Sequence, residues 1–300
     1  MDKWTGWRSQ QAPRVRHAGP DALLARYINK LFFDGQGIAA ARHLLHGYIY
    51  INTVTSGSKS FPQAARALKG WEKASPGACR DPLPVGIVAV MCEDMIRAGD
   101  GWAAMAAALQ VDIYARPSEL LALNGTDLVK PEPKAGETFA KHWAVIIAGS
   151  DTGRTTKTGD SDHTVLVGDK TRFWLKRLLR PLARLAGRGP LIPLTLPQYE
   201  AAFRRSASRL DLVALRPCPH MLRHAGPSHD AWTGVRDLHD IQKRGNWEAF
   251  ASVKRYEKHG KLLRQIARAP DRIRDAMVDA EQHLPKLLGD FLACQPCRQA

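Results

Sequence analysis

Two short β-rich segments, HWAVIIA at 142–148 and HTVLV at 163–167, stand alone in a chain whose other apolar residues recur with helical period. The connection between them, GSDTGRTTKTGDSD, is dominated by Gly, Ser, Thr and Asp and reads as a hairpin turn. A fold built on this sequence is therefore mainly α with a small antiparallel β-sheet (α+β). From Asp21, a plausible N-cap, Leu23, Leu24, Tyr27, Ile28 and Leu31 follow a helical period until Asp34-Gly35 stops it. Further helices are expected at about Ile38 to Ile51 and Pro62 to Lys73. Beyond a Pro- and Gly-containing linker, ASPGACRDPLP, two apolar helices follow at Val85 to Ala98 and Gly101 to Tyr114. Another is expected at Gln198 to Leu210. Lys261 to Ala269 and Asp271 to about Leu292, the latter interrupted or kinked at Pro285, complete the set. The division expected is a mobile basic arm over 1–20, a small helical domain over 21–80 and a larger domain over 81–293.

At 300 residues and 44% hydrophobic composition the chain can bury a core in each of two domains. Its 44 Lys and Arg against 29 Asp and Glu leave a formal charge of +15, which favours a polyanionic partner. Nucleic acid leads over an anionic membrane surface, because no basic amphipathic helix with an aromatic face stands out. No apolar run approaches the roughly 20 residues of a membrane span, and Met1 to Ala18 has no signal-peptide core, so the expectation is an intracellular protein. The 5 cysteines are scattered and odd in number, which points to reduced thiols. The TSGSKS stretch lacks the glycine that a phosphate loop requires.

The chemistry concentrates between His220 and Tyr256. Arg223 offers a planar fork of donors that fits two non-bridging phosphate oxygens. His220, three residues earlier, lies on the same helical face. Trp247 supplies an indole N–H that cannot ionise, with bulk to exclude water, and the Tyr256 hydroxyl can attack phosphorus to give a covalent intermediate. Each residue has a bland reading: H-x-x-R is commonly a capping or solvated pair, and a helical Tyr commonly packs. His220 and His224 also have the spacing of a zinc pair, but Met221 stands where a metalloprotease glutamate would be. The tail's CQPC has no second CxxC to complete a site.

Taken together, His220, Arg223, Trp247 and Tyr256, with nine residues from Trp to Tyr, resemble in type and spacing the second signature box of the tyrosine recombinase (phage integrase) family. The stretch YARPSELLALNGTDLV resembles the family's first box, with Arg116, Glu119 and Asp127 matching and Pro117 opening a short helix. In the family a lysine on a β-hairpin reaches the minor groove and protonates the leaving 5′ oxygen; the resemblance assigns that role to Lys157. It implies Arg116, Lys157, His220, Arg223, Trp247 and Tyr256 as catalytic residues, with Tyr256 the nucleophile. It further implies a helical core-binding domain ahead of the catalytic one, site-specific cleavage and rejoining of double-stranded DNA through a 3′-phosphotyrosyl intermediate, and a homotetramer on two DNA sites. Neither a metal nor a cofactor is implied. The location is DNA-associated, in a nucleus or a bacterial cytoplasm. A type IB-like topoisomerase and a recombinase-derived DNA-binding protein that no longer cuts are the alternatives.

Between 170 and 188 seven basic residues and no acidic one interleave with Phe173, Trp174, Leu178, Leu179, Leu182 and Leu185. One face would be buried and the other would meet phosphates. Lys170, Arg172, Lys176, Arg177 and Arg180, with Arg204 and Arg205 on the next helix, are the expected DNA contacts.

Overall fold

The computed structural model describes residues 2–56, 61–75, 81–150, 153, 155, 159, 161–257 and 259–296. They form two compact units, Met1–Cys79 and Arg80–Ala300.

The first unit is helical: α1 (Asp2–Ser9), α2 (Pro13–Arg16), α3 (Gly19–Phe33), α4 (Ile38–Ser56) and α5 (Pro62–Ala74). The mobile arm expected over 1–20 is instead largely helical. Trp4 and Trp7, one turn apart on α1, stack at 5.6 Å, and Trp4 packs edge-on against Tyr27 at 5.3 Å, leaving it 4% exposed. Burial of the Trp4 indole and partial burial of Trp7 offset the ordering cost of a short basic helix. Asp21 is not the cap of its own helix, which starts two residues earlier with Pro20 in its first turn. Its carboxylate accepts the N–H groups of Gln63 and Ala64 at 3.0 and 2.9 Å, capping α5 from across the unit.

The second unit contains α6 (Val85–Arg97), α7 (Gly101–Ile113), α8 (Pro117–Leu121), α9 (Glu137–Ala140), α10 (Leu175–Ala186), α11 (Leu196–Arg209), α12 (Pro219–Trp232), α13 (Leu238–Arg244), α14 (Gly260–Arg268) and α15 (Asp271–Ala293). Its antiparallel sheet has the order β1 (Leu128–Val129), β2 (Trp143–Ile147), β3 (His163–Val167). Val145 pairs with Val165, so Trp143, Val145 and Ile147 share the inner face with Val165 and Val167, while Leu166 faces outward. The two expected strands are present; two-residue β1 is too short to leave a pattern. Half of their connection, Lys157 included, lies outside the described residues.

Ala-rich α7 is the central element, buried at nearly every position because Ala103, Ala104 and Ala106 to Ala108 let neighbouring helices approach. Gln110 in its middle is fully satisfied: its amide donates to the carbonyls of Ala115 and Pro219 at 3.1 and 2.9 Å and accepts from Tyr199 at 3.0 Å. That ties α7 to the start of α12. Gly226 of α12 makes the crossing possible, since a Cβ there would sit 2.0 Å from the Val111 carbonyl oxygen. Pro285 lies inside a continuous α15, which packs closely on α6 of its own unit: Met277 and Glu281 lie where a Cβ at Gly86 would be. No helix among the described residues is long and apolar enough to cross a membrane.

Candidate active site

Arg116 is the N-cap of α8, with Pro117 supplying the fixed φ of the first turn. Glu119, three residues on, reaches back to accept the Arg116 N–H at 2.7 Å and pairs with its guanidinium. The same carboxylate accepts from Arg223 Nη1 of α12 at 3.3 Å. One acidic side chain thus holds together two arginines that are far apart in sequence.

Arg223 is 5% exposed. Nη1 also donates to the Tyr114 carbonyl at 2.8 Å, and Nη2 donates to the Gly245 carbonyl at 2.9 Å. Of a guanidinium's five N–H donors, those to Tyr114, Glu119 and Gly245 are committed. Among the described residues, the Nε proton and one Nη2 proton remain for a bidentate partner. Burial lowers the guanidinium's pKa to about 10, with Glu119 opposing the shift and Arg116 adding to it, so the group stays cationic at neutral pH.

Its planar face stacks 4.9 Å from the Trp247 ring centroid. Trp247 follows α13 through Gly245 and through Asn246, which takes φ +48°. Position 245 requires glycine because a Cβ would lie 1.8 Å from the indole. Tyr256 sits in a 3₁₀ turn, Lys254–Glu257, rather than in a second regular helix, and is 2% exposed. Its ring lies 5.3 Å from that of Trp247, and its hydroxyl lies 2.9 Å from His224 Nδ1. His220 is one turn back on α12, its ring 5.8 Å from His224's. Arg116, His220, Arg223, Trp247 and Tyr256 are therefore linked through direct contacts or one intermediary each. Lys157 lies outside the described residues.

Sequence reasoning treated His224 only as half of a rejected zinc pair and gave no role to Tyr114, His163 or Gly245. The H-x-x-R-H run was the available signal for His224, because position 224 lies next to 223 and one turn from 220. Nothing local marks the other three.

Behind the site lies a buried ionic knot. Arg172 pairs with Asp112 at 3.0 Å and bidentately with Asp230 at 2.9 Å; Arg244 pairs with Asp112 at 3.0 Å; Arg236 pairs with Asp169. The Tyr114 hydroxyl donates to Asp230. Both carbonyls that hold Arg223 depend on this knot, one belonging to Tyr114 and the other to the residue after Arg244. Arg172 therefore does not fit the DNA contact expected of it. With two carboxylates to neutralise, its side chain is drawn inward and leaves 9% exposed. Lys170, Arg177, Arg180, Arg204 and Arg205 stay at the surface, with Lys170 paired to Asp240 and Arg205 to Asp100. Lys176 is half-buried beside Phe173.

No protein-family model matches the chain, and no curated protein does. Solved structures do match it. One is lambda integrase, residues 75–356, solved as a dimer bound to a COC′ core site: 14% identity, 86% of each chain covered, TM-score 0.53. Another is the Tn1549 transposon integrase, residues 82–397, solved with a circular-intermediate DNA: 11% identity, 89% of this chain and 91% of that one, TM-score 0.54. The fold is that of the tyrosine recombinases.

Proposed function

We propose that the chain cuts and rejoins double-stranded DNA at specific sites, with Tyr256 carrying the 3′ phosphate between the two steps. The observation that carries this reading is the chain of contacts from Arg116 through Glu119, Arg223 and Trp247 to Tyr256. A phosphodiester carries one negative charge and gathers a second as the pentacoordinate transition state forms. Two fixed guanidinium groups and hydrogen bonds donated by His220 and Trp247 offset that charge without needing to reorganise. The Tyr256 hydroxyl passes its proton to His224, 2.9 Å away, as its oxygen bonds to phosphorus; the bond to O5′ breaks, and O5′ takes its proton from Lys157. The phosphotyrosyl bond conserves the energy of the broken one, so a second strand's 5′ hydroxyl reverses the step with no external energy source. In this reading the first unit clamps the duplex, Lys170, Lys176, Arg177, Arg180, Arg204 and Arg205 contact its phosphates, and four protomers hold two sites.

The test is a nicked suicide duplex that traps the covalent adduct. Wild type should become attached to DNA, Tyr256→Phe should not, and Arg223→Ala should slow attachment by roughly 10² to 10³-fold. A wild-type protein that binds duplex and never forms the adduct overturns the reading. Adduct formation by lone monomers, with plasmid relaxation and no paired complex, would reassign it to a topoisomerase.

A further inference from the structure

Near Arg116 and Arg223 a histidine of β3 completes the wall of the site. His163 lines one cleft with Arg116, Glu119, Arg223, Gly245 and Asn246. That cleft shares Arg116, Glu119 and Ile147 with a neighbouring cavity of about 420 Å³ beside α8. The Nε2 atom of His163 is buried and has no hydrogen-bond partner among the described residues. An unsatisfied buried ring nitrogen is destabilising, and such atoms in a native fold call for a reason. Here the reason lies in what faces it: Glu119 and Arg116 from α8, Arg223 from α12, the main chain of Lys243 and Arg244 from the end of α13, and apolar Ile147 from β2.

We propose that His163 is a further phosphate-binding residue of this site, taking up a proton as the DNA phosphate docks and donating a hydrogen bond to it. The inference rests on the DNA-cutting reading above and adds a group to it. Without DNA, burial holds the imidazole below its ordinary pKa; Glu119 and the α13 main chain oppose that shift and Arg223 reinforces it, so the ring is neutral at pH 7. An incoming phosphate adds a negative charge beside it and reverses the balance. Against the double charge of the transition state, Arg116 and Arg223 less Glu119 leave one positive charge, and a protonated His163 supplies another.

The experiment uses the full chain, the suicide duplex and two variants. His163→Ala should slow adduct formation by about 10 to 100-fold, and His163→Gln, which keeps a neutral donor, should recover much of that. Circular dichroism verifies folding of each. Binding of intact duplex is then followed by calorimetry in two buffers of different ionisation heat, in a Tyr256→Phe background. Wild-type His163 should take up one proton more per bound site than His163→Gln. Equal adduct rates with equal proton uptake overturn the inference. Should no protein form an adduct, the cutting reading fails, while the difference in proton uptake still decides whether His163 meets the phosphate.

Discussion

The hydroxyl of Tyr256 and Nδ1 of His224 lie 2.9 Å apart, a hydrogen bond that joins the proposed nucleophile to the helix carrying His220 and Arg223. A phenol must lose its proton to attack phosphorus, and an imidazole nitrogen at this distance is placed to receive it. His224→Ala should slow adduct formation by roughly 10²-fold, typical of a lost general base, with duplex affinity unchanged. A wild-type rate in His224→Ala would reduce the contact to packing.

Arg172 and its sequence neighbours should separate cleanly by phenotype. Arg172→Ala leaves Asp112 and Asp230, both 0% exposed, without their shared cation, and loss of one partner of a buried pair costs about 3 to 5 kcal/mol. Arg177→Ala and Arg180→Ala remove exposed side chains and should leave denaturant midpoints unchanged. Each should instead lower the slope of log affinity against log salt by about 1. An Arg172→Ala protein of normal stability with a reduced salt slope would restore the residue to the DNA surface.

These residues also mark where sequence ends as a guide. Helical period and hairpin composition located the strands β2 and β3 and most helices to within a few residues, because both are local patterns. Arg116, His220, Arg223, Trp247 and Tyr256 were legible because their residue types and spacing form a pattern. Arg172 was misread because the Asp112 and Asp230 that capture it are 60 and 58 residues away, and composition cannot say which of seven cations turns inward. The arm expected over 1–20 was misread for the same reason: the partners of its Trp4, Tyr27 and Tyr48, lie on α3 and α4. His163 looked like an ordinary first residue of a strand, and only the folded chain brings it to Glu119 and Arg223.

Stability should fall at acid pH through the same knot. Burial alone would raise the Asp169 pKa, but Arg244 and Arg236 outweigh it and hold the carboxyl below its ordinary value. A depressed carboxyl stabilises the fold at any pH above the unfolded value, about 3.9, and that contribution is lost as pH falls through the lower folded value. Denaturant midpoints measured from pH 7 to pH 2 should therefore drop below about pH 4. Asp169→Asn should be less stable at pH 7 and show a shallower acid dependence. A parallel pair of curves would sever the link.

Gly226 tests whether the crossing of α12 over α7 sets the site. An alanine Cβ there would lie 2.0 Å from the Val111 carbonyl oxygen and 2.7 Å from the Tyr114 ring, so α12 must move away from α7. Overpacking of this kind costs about 1 to 3 kcal/mol. The displacement also reaches function, since Tyr114 gives its carbonyl to Arg223 and its hydroxyl to Asp230. Gly226→Ala should thus lower the midpoint of unfolding and slow adduct formation even at temperatures where the protein is fully folded. Gly289→Ala provides the comparison: on α15 its added Cβ would meet only Leu178 at an ordinary 3.8 Å, and both properties should remain near wild type. If Gly226→Ala lost stability alone, with full cleavage rate in the folded state, the α7–α12 contact would support the fold without governing the position of Arg223.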